Sequence, residues 1–341
     1  MPRPPGTEHV LLPPLRGTVA SRGVWHLVGV IRASWTRRGV HLARPIRMYE
    51  AEVPYFLTAR CLHGRLFLRP SERTNEILGG VLARAARLAG IEVFAFVFAS
   101  NHVHLLVRGA PDKISPFMQH LLTNISKKIG ALVGWRGAFW ERRYSAEPVL
   151  DEEALLGRIR YILAHGVKEG LVATCQEWPG LSSLSMMLDG EPRRFRWFQW
   201  SDRWRERKLG KPCPRFDERC SRVEQLVLAK VPHPGFQEAR SRRQLLERLL
   251  DGIHEYGATL HGRFRGRAWV LAQRPQHRSD RPARTPRPLC HTSSRRLLDE
   301  FRDKARAFTT AFLNASQRWR AGDFSAPFPM GANRPMVALA A

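Results

Sequence analysis

Apolar positions recur at helical spacing along residues 72–89, and the pattern changes to strand spacing directly afterwards. Ser71 is a suitable N-cap for this helix and Gly90 a suitable end, because glycine adopts the left-handed conformation that closes many helices. Residues 91–98 and 102–107 are rich in apolar and β-branched side chains, and only three residues separate the two runs. This arrangement predicts an antiparallel hairpin.

The same patterning predicts further elements on both sides of the hairpin. A strand is expected at residues 55–61, and a helix that starts at Ser115-Pro116. Asp151 is expected to cap a third helix that Gly166 ends. Helical spacing returns at residues 238–260 and 294–320. Strands and helices in this order predict an α+β fold.

The second strand of the hairpin carries His102 and His104. Side chains alternate between the two faces of a strand, so the two imidazoles lie on one face while Val103 and Leu105 lie on the other. Two neighbouring imidazoles are a candidate pair of metal ligands. A pair of histidines on a solvated strand is the alternative, and the motif alone does not decide between them.

The third helix keeps a tyrosine off its apolar face. Leu155, Ile159 and Leu163 are on one side of the helical wheel, whereas Tyr161, His165 and Arg158 are on the other. Tyr161 and His165 are separated by one helical turn. A hydroxyl nucleophile, a third possible metal ligand and a guanidinium therefore share one surface.

The composition predicts that the protein binds a polyanionic partner. The 341 residues include 56 Lys and Arg against 30 Asp and Glu, which gives a formal charge of +26. Self-repulsion of this size opposes compaction, and nucleic acid is the partner that it favours, with an acidic membrane as the alternative. No run approaches the ~20 apolar residues of a spanning helix, so we expect no membrane insertion. Five scattered cysteines favour a reducing cytoplasm.

Several basic and aromatic positions are candidates for nucleic-acid contacts. Aromatic side chains alternate with arginines in residues 135–150 and 193–211, a composition typical of single-strand binding surfaces. Core packing, a packed basic linker or a solvated basic face is the alternative explanation for these residues. The candidate DNA-binding residues are Lys127, Lys128, Trp140, Arg142, Arg143, Arg158, Arg193, Arg194 and Arg196.

Three stretches together resemble the single-tyrosine transposases of the HUH class, most closely the REP-associated branch. They are residues 101–106 (Asn-His-Val-His-Leu-Leu), residues 139–144 (Phe-Trp-Glu-Arg-Arg-Tyr) and residues 161–172 (Tyr-Ile-Leu-Ala-His-Gly-Val-Lys-Glu-Gly-Leu-Val). The resemblance spans residues 46–189. His165 stands where the family usually has Asn or Gln, and Gly166 replaces its usual Pro.

The resemblance implies a function and assigns roles to residues. Tyr161 takes the place of the catalytic tyrosine, and His102 and His104 take the place of the metal ligands, with His165 as a third. The implied cofactor is a divalent ion, Mg²⁺ or Mn²⁺, and the implied substrate is single-stranded or hairpin DNA that is cut and rejoined through a phosphotyrosine. The implied fold is a ferredoxin-like or RRM-like antiparallel sheet with helices on one face.

These observations predict three regions and leave alternatives open. We expect a basic arm at residues 1–45, a catalytic domain at 46–190, and a basic, mainly helical region at 191–341 with a disordered linker near 273–290. The protein is expected to be a cytoplasmic monomer or homodimer. A replication initiator or relaxase of the HUH class, and a nucleic-acid-binding protein without catalysis, are the alternative functions. Tyr144, which follows two arginines, is the rival nucleophile.

Overall fold

The structure is a computed structural model that describes residues 46–199, 202, 205, 220–279 and 288–332. The predicted arm at residues 1–45 lies outside the described residues, as does most of the basic stretch that follows Trp200. Among the helices of the described part, none is both long and apolar enough to cross a membrane.

A four-stranded antiparallel sheet is the centre of the molecule. Its strands are β1 (Tyr55–Arg60), β2 (Glu92–Phe98), β3 (His102–Arg108) and β4 (Ser145–Pro148), in the spatial order β2-β3-β1-β4. The predicted hairpin is β2 and β3, in which Val97 pairs with His104. Thr58 of β1 pairs with His104 from the other side. The strand β3, which carries both histidines, is therefore a central strand of the sheet.

Eight helices and a second, two-stranded sheet are described around this centre. The helices are α1 (Glu72–Ala89), α2 (Pro111–Leu132), α3 (Glu152–Leu163), α4 (His165–Lys168), α5 (Leu184–Asp189), α6 (Ala239–Leu260), α7 (Arg267–Ala272) and α8 (Arg295–Arg320). The second sheet pairs β5 (Arg193–Phe198) with β6 (Ser221–Leu226). This α+β architecture, with a helical C-terminal region, confirms the predicted fold class.

The two predicted caps are present at the ends of α1. The Ser71 side chain accepts a hydrogen bond from the backbone N–H of Thr74, and Gly90 takes a left-handed φ of 64°. Asp151 caps α3 in the same way through Ala154. The prediction for α2 is wrong: that helix begins at Pro111, and Pro116 lies inside it. Two prolines five residues apart both suit a first helical position, and the earlier one takes it.

Helices α1 and α2 cover one face of the sheet. Leu57, Val103 and Leu105 from the strands pack with Leu82 and Phe117 in one continuous apolar cluster. The β5–β6 sheet packs on the outside of α1, where Gly80 allows a close approach. A methyl group on Gly80 would lie 2.6 Å from the backbone oxygen of Arg196.

Helices α3 and α6 cover the other face, which corrects the expectation that all helices lie on one side. Phe56 and Leu106 from the strands pack there with Ile159 of α3 and Leu246 of α6. The sheet is therefore a middle layer between two apolar clusters. The domain boundary at residue 190 stays a prediction, although α6 contributes directly to this cluster.

Two segments differ from the predicted turns and linkers. Residues 145–148, within the aromatic and arginine-rich stretch 135–150 where no strand was predicted, form the outer strand β4. Gln273 to Ser279 is also ordered against the sheet domain: the N–H of Leu66 donates to the carbonyl of His277 over 3.0 Å, and the N–H of Ser279 donates to Gly64 over 3.2 Å. This part is therefore not a disordered linker, while residues 280–287 lie outside the described residues.

Candidate active site

The predicted histidine pair lies on the sheet face that α3 covers. His102 is partly buried, and His104 is only 5% exposed. Their rings are 4.8 Å apart, and Phe56 stacks on His104 at 5.0 Å. The alternation that places Val103 and Leu105 in the opposite cluster is what turns both imidazoles to this side.

His165 completes the cluster from the start of α4. Its Nε2 atom lies 2.6 Å from Nε2 of His102, and its ring is 5.3 Å from that of His104. One nitrogen from each of the three histidines lies within 4.8 Å of the other two. The sequence predicted one helix that carries both Tyr161 and His165. Helix α3 instead ends at Leu163, and His165 reaches the site from a separate short helix.

Two neighbouring side chains orient the strand histidines. Asn101 Oδ1 lies 2.5 Å from Nδ1 of His102, and the Nδ2 group of the same amide donates to Ser279 Oγ over 2.8 Å. The amide is thereby held with its oxygen towards His102, which leaves Nε2 of that ring facing His165. Thr58 Oγ1 is hydrogen-bonded to Nδ1 of His104 at a distance of 2.8 Å. Nε2 of His104 is buried without a hydrogen-bond partner among the described atoms.

The site keeps all three imidazoles neutral. Burial, with the neighbouring His165 and Arg60, holds the pKa of His102 well below its usual range. Burial and His102 have the same effect on the pKa of His104. Burial, with Lys168, lowers the pKa of His165 to about 3. Neutral imidazoles are the form that binds metal ions, since the ligand nitrogen must carry a free lone pair.

The cluster fits a divalent transition-metal ion. Three converging imidazoles are a donor set that suits such ions, and Nε2 of His104 is a buried polar atom that lacks a partner. Buried polar groups in folded proteins nearly always have one, so an unpaired nitrogen aimed into a histidine cluster calls for an explanation. A cation coordinated by this nitrogen would supply the missing partner.

Tyr161 lies directly against the cluster. Its ring is edge-on to His104 at 5.3 Å and stacked on His165 at 6.4 Å. Lys168 Nζ donates to the Tyr161 hydroxyl over 3.3 Å, and the guanidinium of Arg158 lies 5.2 Å from the ring centre. The structure therefore brings together the three residues that were predicted to share one surface, Tyr161, His165 and Arg158, and adds a lysine.

Lys168 is a charged group at the hydroxyl that the helical pattern did not indicate. Burial lowers the pKa of Lys168, but Tyr161 and Glu169 outweigh it, and the pKa is raised overall. Glu169 Oε1 lies 3.0 Å from its Nζ atom. Lys168 thus stays protonated beside the phenol. In the sequence, only the position of Lys168 within the 161–172 motif could have indicated its role. No local signal indicated Thr58, which is brought to His104 by the pairing of β1 with β3.

The other predicted DNA-binding residues lie away from the histidines. Trp140, Arg142 and Arg143 line a groove beside α2, which packs on the opposite face of the sheet. The Trp140 indole donates to the carbonyl of Leu122, and its ring packs partly against the core. Lys127 is exposed on the same helix.

The prediction that Lys128 contacts DNA is corrected by its position in the structure. Lys128 is buried, its Nζ atom donates to the carbonyl of Phe198 over 2.6 Å, and it lies 4.2 Å from the Trp197 ring centre. Its ammonium is therefore engaged inside the protein rather than presented to phosphates. Arg193, Arg194 and Arg196 are exposed on β5, whereas Trp197 and Phe198 are buried, so these two rings are not available to stack on bases.

The region that contains the site matches a known family. Residues 68–164 match the family described as Transposase IS200 like, and this range includes His102, His104 and Tyr161. This part of the chain is therefore similar to the IS200-like transposases. His165 is the residue immediately after the matched range.

Solved structures with some similarity to this chain include two proteins. A REP-associated tyrosine transposase bound to a REP hairpin is 18% identical, with a TM-score of 0.37, over 42% of this chain and 83% of that one. A protein from Deinococcus radiodurans R1 described as a candidate transposase is 20% identical, with a TM-score of 0.27, over 37% and 95% of the two chains. Among the curated proteins, none matches this sequence.

Proposed function

We propose that this transposase domain cuts and rejoins single-stranded DNA through a covalent bond to Tyr161, with a divalent metal ion held by His102, His104 and His165. The observation that carries the proposal is the packing of the Tyr161 ring against both His104 and His165. A nucleophile next to a set of converging neutral imidazoles has the layout of metal-assisted phosphoryl transfer.

The chain's own residues account for the bond changes. The Tyr161 oxygen forms a bond to the phosphorus of the scissile phosphodiester, and the bond between phosphorus and the 3′ oxygen breaks. The phenol gives up its proton, and the departing oxygen takes one up as a 3′-hydroxyl. Rejoining is the reverse reaction, in which a 3′-hydroxyl attacks the phosphotyrosine. The bond energy is conserved in the phosphotyrosine, so no nucleotide cofactor is needed.

Two cations accompany Tyr161. The Lys168 ammonium, hydrogen-bonded to the hydroxyl, stabilises negative charge on the phenol oxygen as its proton leaves. Arg158, on the same helix, is positioned to contact the phosphate that approaches the ring. Both groups belong to helices that pack in the apolar cluster on this face, so their positions are set before the strand binds.

His102, His104 and His165 would hold the metal ion. When bound, it supplies Lewis-acid stabilisation of the charge on the phosphate oxygens. Imidazole nitrogens suit transition metals better than Mg²⁺, which prefers oxygen ligands. Of the two ions that the family resemblance implies, we therefore propose Mn²⁺ over Mg²⁺.

DNA is the proposed partner, in single-stranded or hairpin form. The formal charge of +26 suits a polyanion of this kind. Arg142 and Arg143 beside α2, and Arg193, Arg194 and Arg196 on β5, remain proposed contacts for parts of the DNA away from the cleavage site. Since DNA is the substrate, we expect the protein to act in the cytoplasm, as a monomer or a homodimer.

The test is covalent capture. The protein is incubated with a pool of single-stranded hairpins and Mn²⁺, and adducts are resolved by denaturing electrophoresis and mapped by mass spectrometry. We expect an adduct on Tyr161 that disappears in Tyr161→Phe, because this change removes the nucleophilic oxygen alone. Tyr144→Phe is the matched control, since Tyr144 is buried on the other face with its hydroxyl 2.9 Å from that of Tyr49.

Adduct formation that persists in Tyr161→Phe would overturn the nucleophile. DNA binding without any adduct, in the wild type and under all divalent ions, would favour the alternative of a binding protein without catalysis.

A further inference from the structure

Residues 261–279, which we call the C-terminal strap, lie beyond the matched family region and attach to the chain just after the site. His261 Nε2 lies 3.0 Å from the carbonyl oxygen of Lys168, the residue that contacts Tyr161. The N–H of Arg265 donates to Gly170 over 3.0 Å, and that of Gly266 donates to Leu171 over 2.9 Å. One end of the strap is therefore fixed to the segment that carries His165.

The other end of the strap is fixed next to His102. Ser279 Oγ accepts from Asn101 Nδ2 over 2.8 Å and donates to the carbonyl of Gly64 over 3.0 Å. Asn101 is the residue whose amide oxygen faces His102. The strap thus begins beside one wall of the histidine cluster and ends beside the other. Between its ends, Val270 is buried in the apolar cluster of α3 and α6, which holds the strap against the domain.

The strap presents cations that have no acidic partners. Residues 261–279 contain no Asp or Glu, and the side chains of five arginines are exposed along them: Arg263, Arg265, Arg267, Arg274 and Arg278. Within the part of the chain that the structure describes, none of the five forms an ion pair with a carboxylate. By contrast, Arg295 and Arg296 of α8 pair with Asp299 and Glu300 at 3.0 Å each.

An exposed aromatic ring accompanies these arginines. Trp269 is 41% exposed, and the guanidinium of Arg265 lies 5.3 Å from its ring centre. Exposed indole rings are costly in water and favour stacking partners. Nucleobases stack on such rings, while neighbouring guanidiniums bind the phosphates of the same strand. A duplex hides its base faces, so this combination fits a single strand.

We propose that the C-terminal strap binds the single strand that continues from the scissile phosphate, with Trp269 stacking on a base and the strap arginines contacting phosphates. This inference rests on the proposed function, because the histidine cluster and Tyr161 define where the scissile phosphate lies. The occupant is the same DNA strand that is cut, and the strap extends its binding path beyond the family's matched region.

The experiment measures binding without cleavage. All variants are made in the Tyr161→Phe background, and fluorescence anisotropy with a labelled single strand is recorded over a range of salt concentrations. The test variant is R263Q/R265Q/R267Q. The matched control is R240Q/R243Q/R248Q, which removes the same charge from exposed positions in the first half of α6, about 18–30 Å along the helix from its strap end.

We expect the strap variant to lower the slope of log affinity against log salt by about 2, because each phosphate contact on a single strand contributes about 0.7 to it. Affinity should fall at least tenfold for a long strand, and the control should lose much less. W269A should weaken binding with no change in slope. If R263Q/R265Q/R267Q does not fold, R274Q/R278Q in the same assay should lower the slope by about 1.4.

Equal losses in the strap and control variants would overturn the proposal, since they would indicate a general charge effect. An unchanged slope in both strap variants would overturn it as well. Failure of the proposed function looks different: the wild type would form no adduct on Tyr161, whatever the strap variants do to binding.

Discussion

Both faces of the central sheet are covered by helices and apolar clusters, and one of them also carries a group of polar side chains. Leu57, Val103 and Leu105 point into an apolar cluster with α1 and α2. On the other face, Thr58, His102 and His104 alternate with them along the same two strands. In the proposed function, each strand contributes to stability through one set of positions and to chemistry through the other. A shift of one residue in the pairing of β3 would exchange the two sets.

The polar face keeps its side chains paired by a chain of neighbours. Ser279 holds Asn101, Asn101 orients His102, and Thr58 orients His104. Such a network costs little when each member is hydrogen-bonded, whereas an unpaired member in a low-dielectric interior is expensive. Within the described histidine cluster, Nε2 of His104 and Nδ1 of His165 are buried without a hydrogen-bond partner. Unpaired buried nitrogens carry an energetic penalty, and functional sites often accept such a penalty.

The largest predicted effect tests whether metal binding belongs to one face only. We expect H102A/H104A to lower the affinity for Mn²⁺ by at least about a hundredfold, because changes to groups that only support metal ligands already cost 10- to 100-fold. Isothermal titration calorimetry measures this directly. H120A is the control, since His120 stacks on Trp197 on the other side of the sheet. If the double variant and the wild type bind Mn²⁺ with equal affinity, the assignment of the metal ion to this site is wrong.

A smaller effect separates the two tyrosines. Tyr144→Phe should lower the free energy of unfolding by about 1–2 kcal/mol, because the buried Tyr49 hydroxyl loses its partner at 2.9 Å. Tyr161→Phe should change it by less than about 0.5 kcal/mol, since its ring is only partly buried and it loses a single long hydrogen bond. Urea denaturation of both variants checks the contrast. The reverse order would contradict the division of the faces into structural and catalytic.

The smallest predicted effect is a pH dependence on the apolar side. Burial, with Arg84 and Arg73 nearby, lowers the pKa of Lys128 to about 8. Between pH 8 and the ordinary lysine pKa near 10.4, the unfolded chain binds a proton that the folded chain does not, so stability rises with pH across this window. Below pH 8 both states hold the proton and the dependence disappears.

Lys128→Met removes this titration. Compared with the variant, the wild type should gain about 1 kcal/mol in unfolding free energy between pH 7 and pH 9. Comparing the two proteins cancels the other groups that titrate in this range. A constant difference between the two curves would show that the Lys128 ammonium is as well solvated in the folded protein as in the unfolded chain.

Local signals in the sequence predicted most of the elements and the heart of the site. The cap at Ser71, the end at Gly90 and the cap at Asp151 act within one turn of their helices, so the helix ends could be read directly. The shared face of His102 and His104 follows from strand alternation alone. Tyr161 and Arg158 were found together because helical spacing places them so, and Arg158 lies over the ring.

The features that were missed depend on contacts between distant residues. Strand β4 has only four residues, and its pairing with β1 is not visible in its composition. Lys128 is off the apolar face of its helix, yet Phe198 and Trp197, some 70 positions later, bury it. The docking of Gln273 to Ser279 depends on Gly64 and Asn101 in the same way. Composition favoured solvent exposure at both places, and tertiary packing decided otherwise.

Both outer strands of the sheet are already hydrogen-bonded to other segments of the same chain. On β2, the N–H of Phe98 donates to Leu181, while the carbonyls of Phe96 and Val93 accept from Ser183 and Ala229. Just beyond β4, Val149 is bridged to His291. Strand addition from a second molecule, the usual route to continuous intermolecular sheets and to amyloid-like stacking, would first have to displace these segments. The edges of the four-stranded sheet are thereby protected against such pairing.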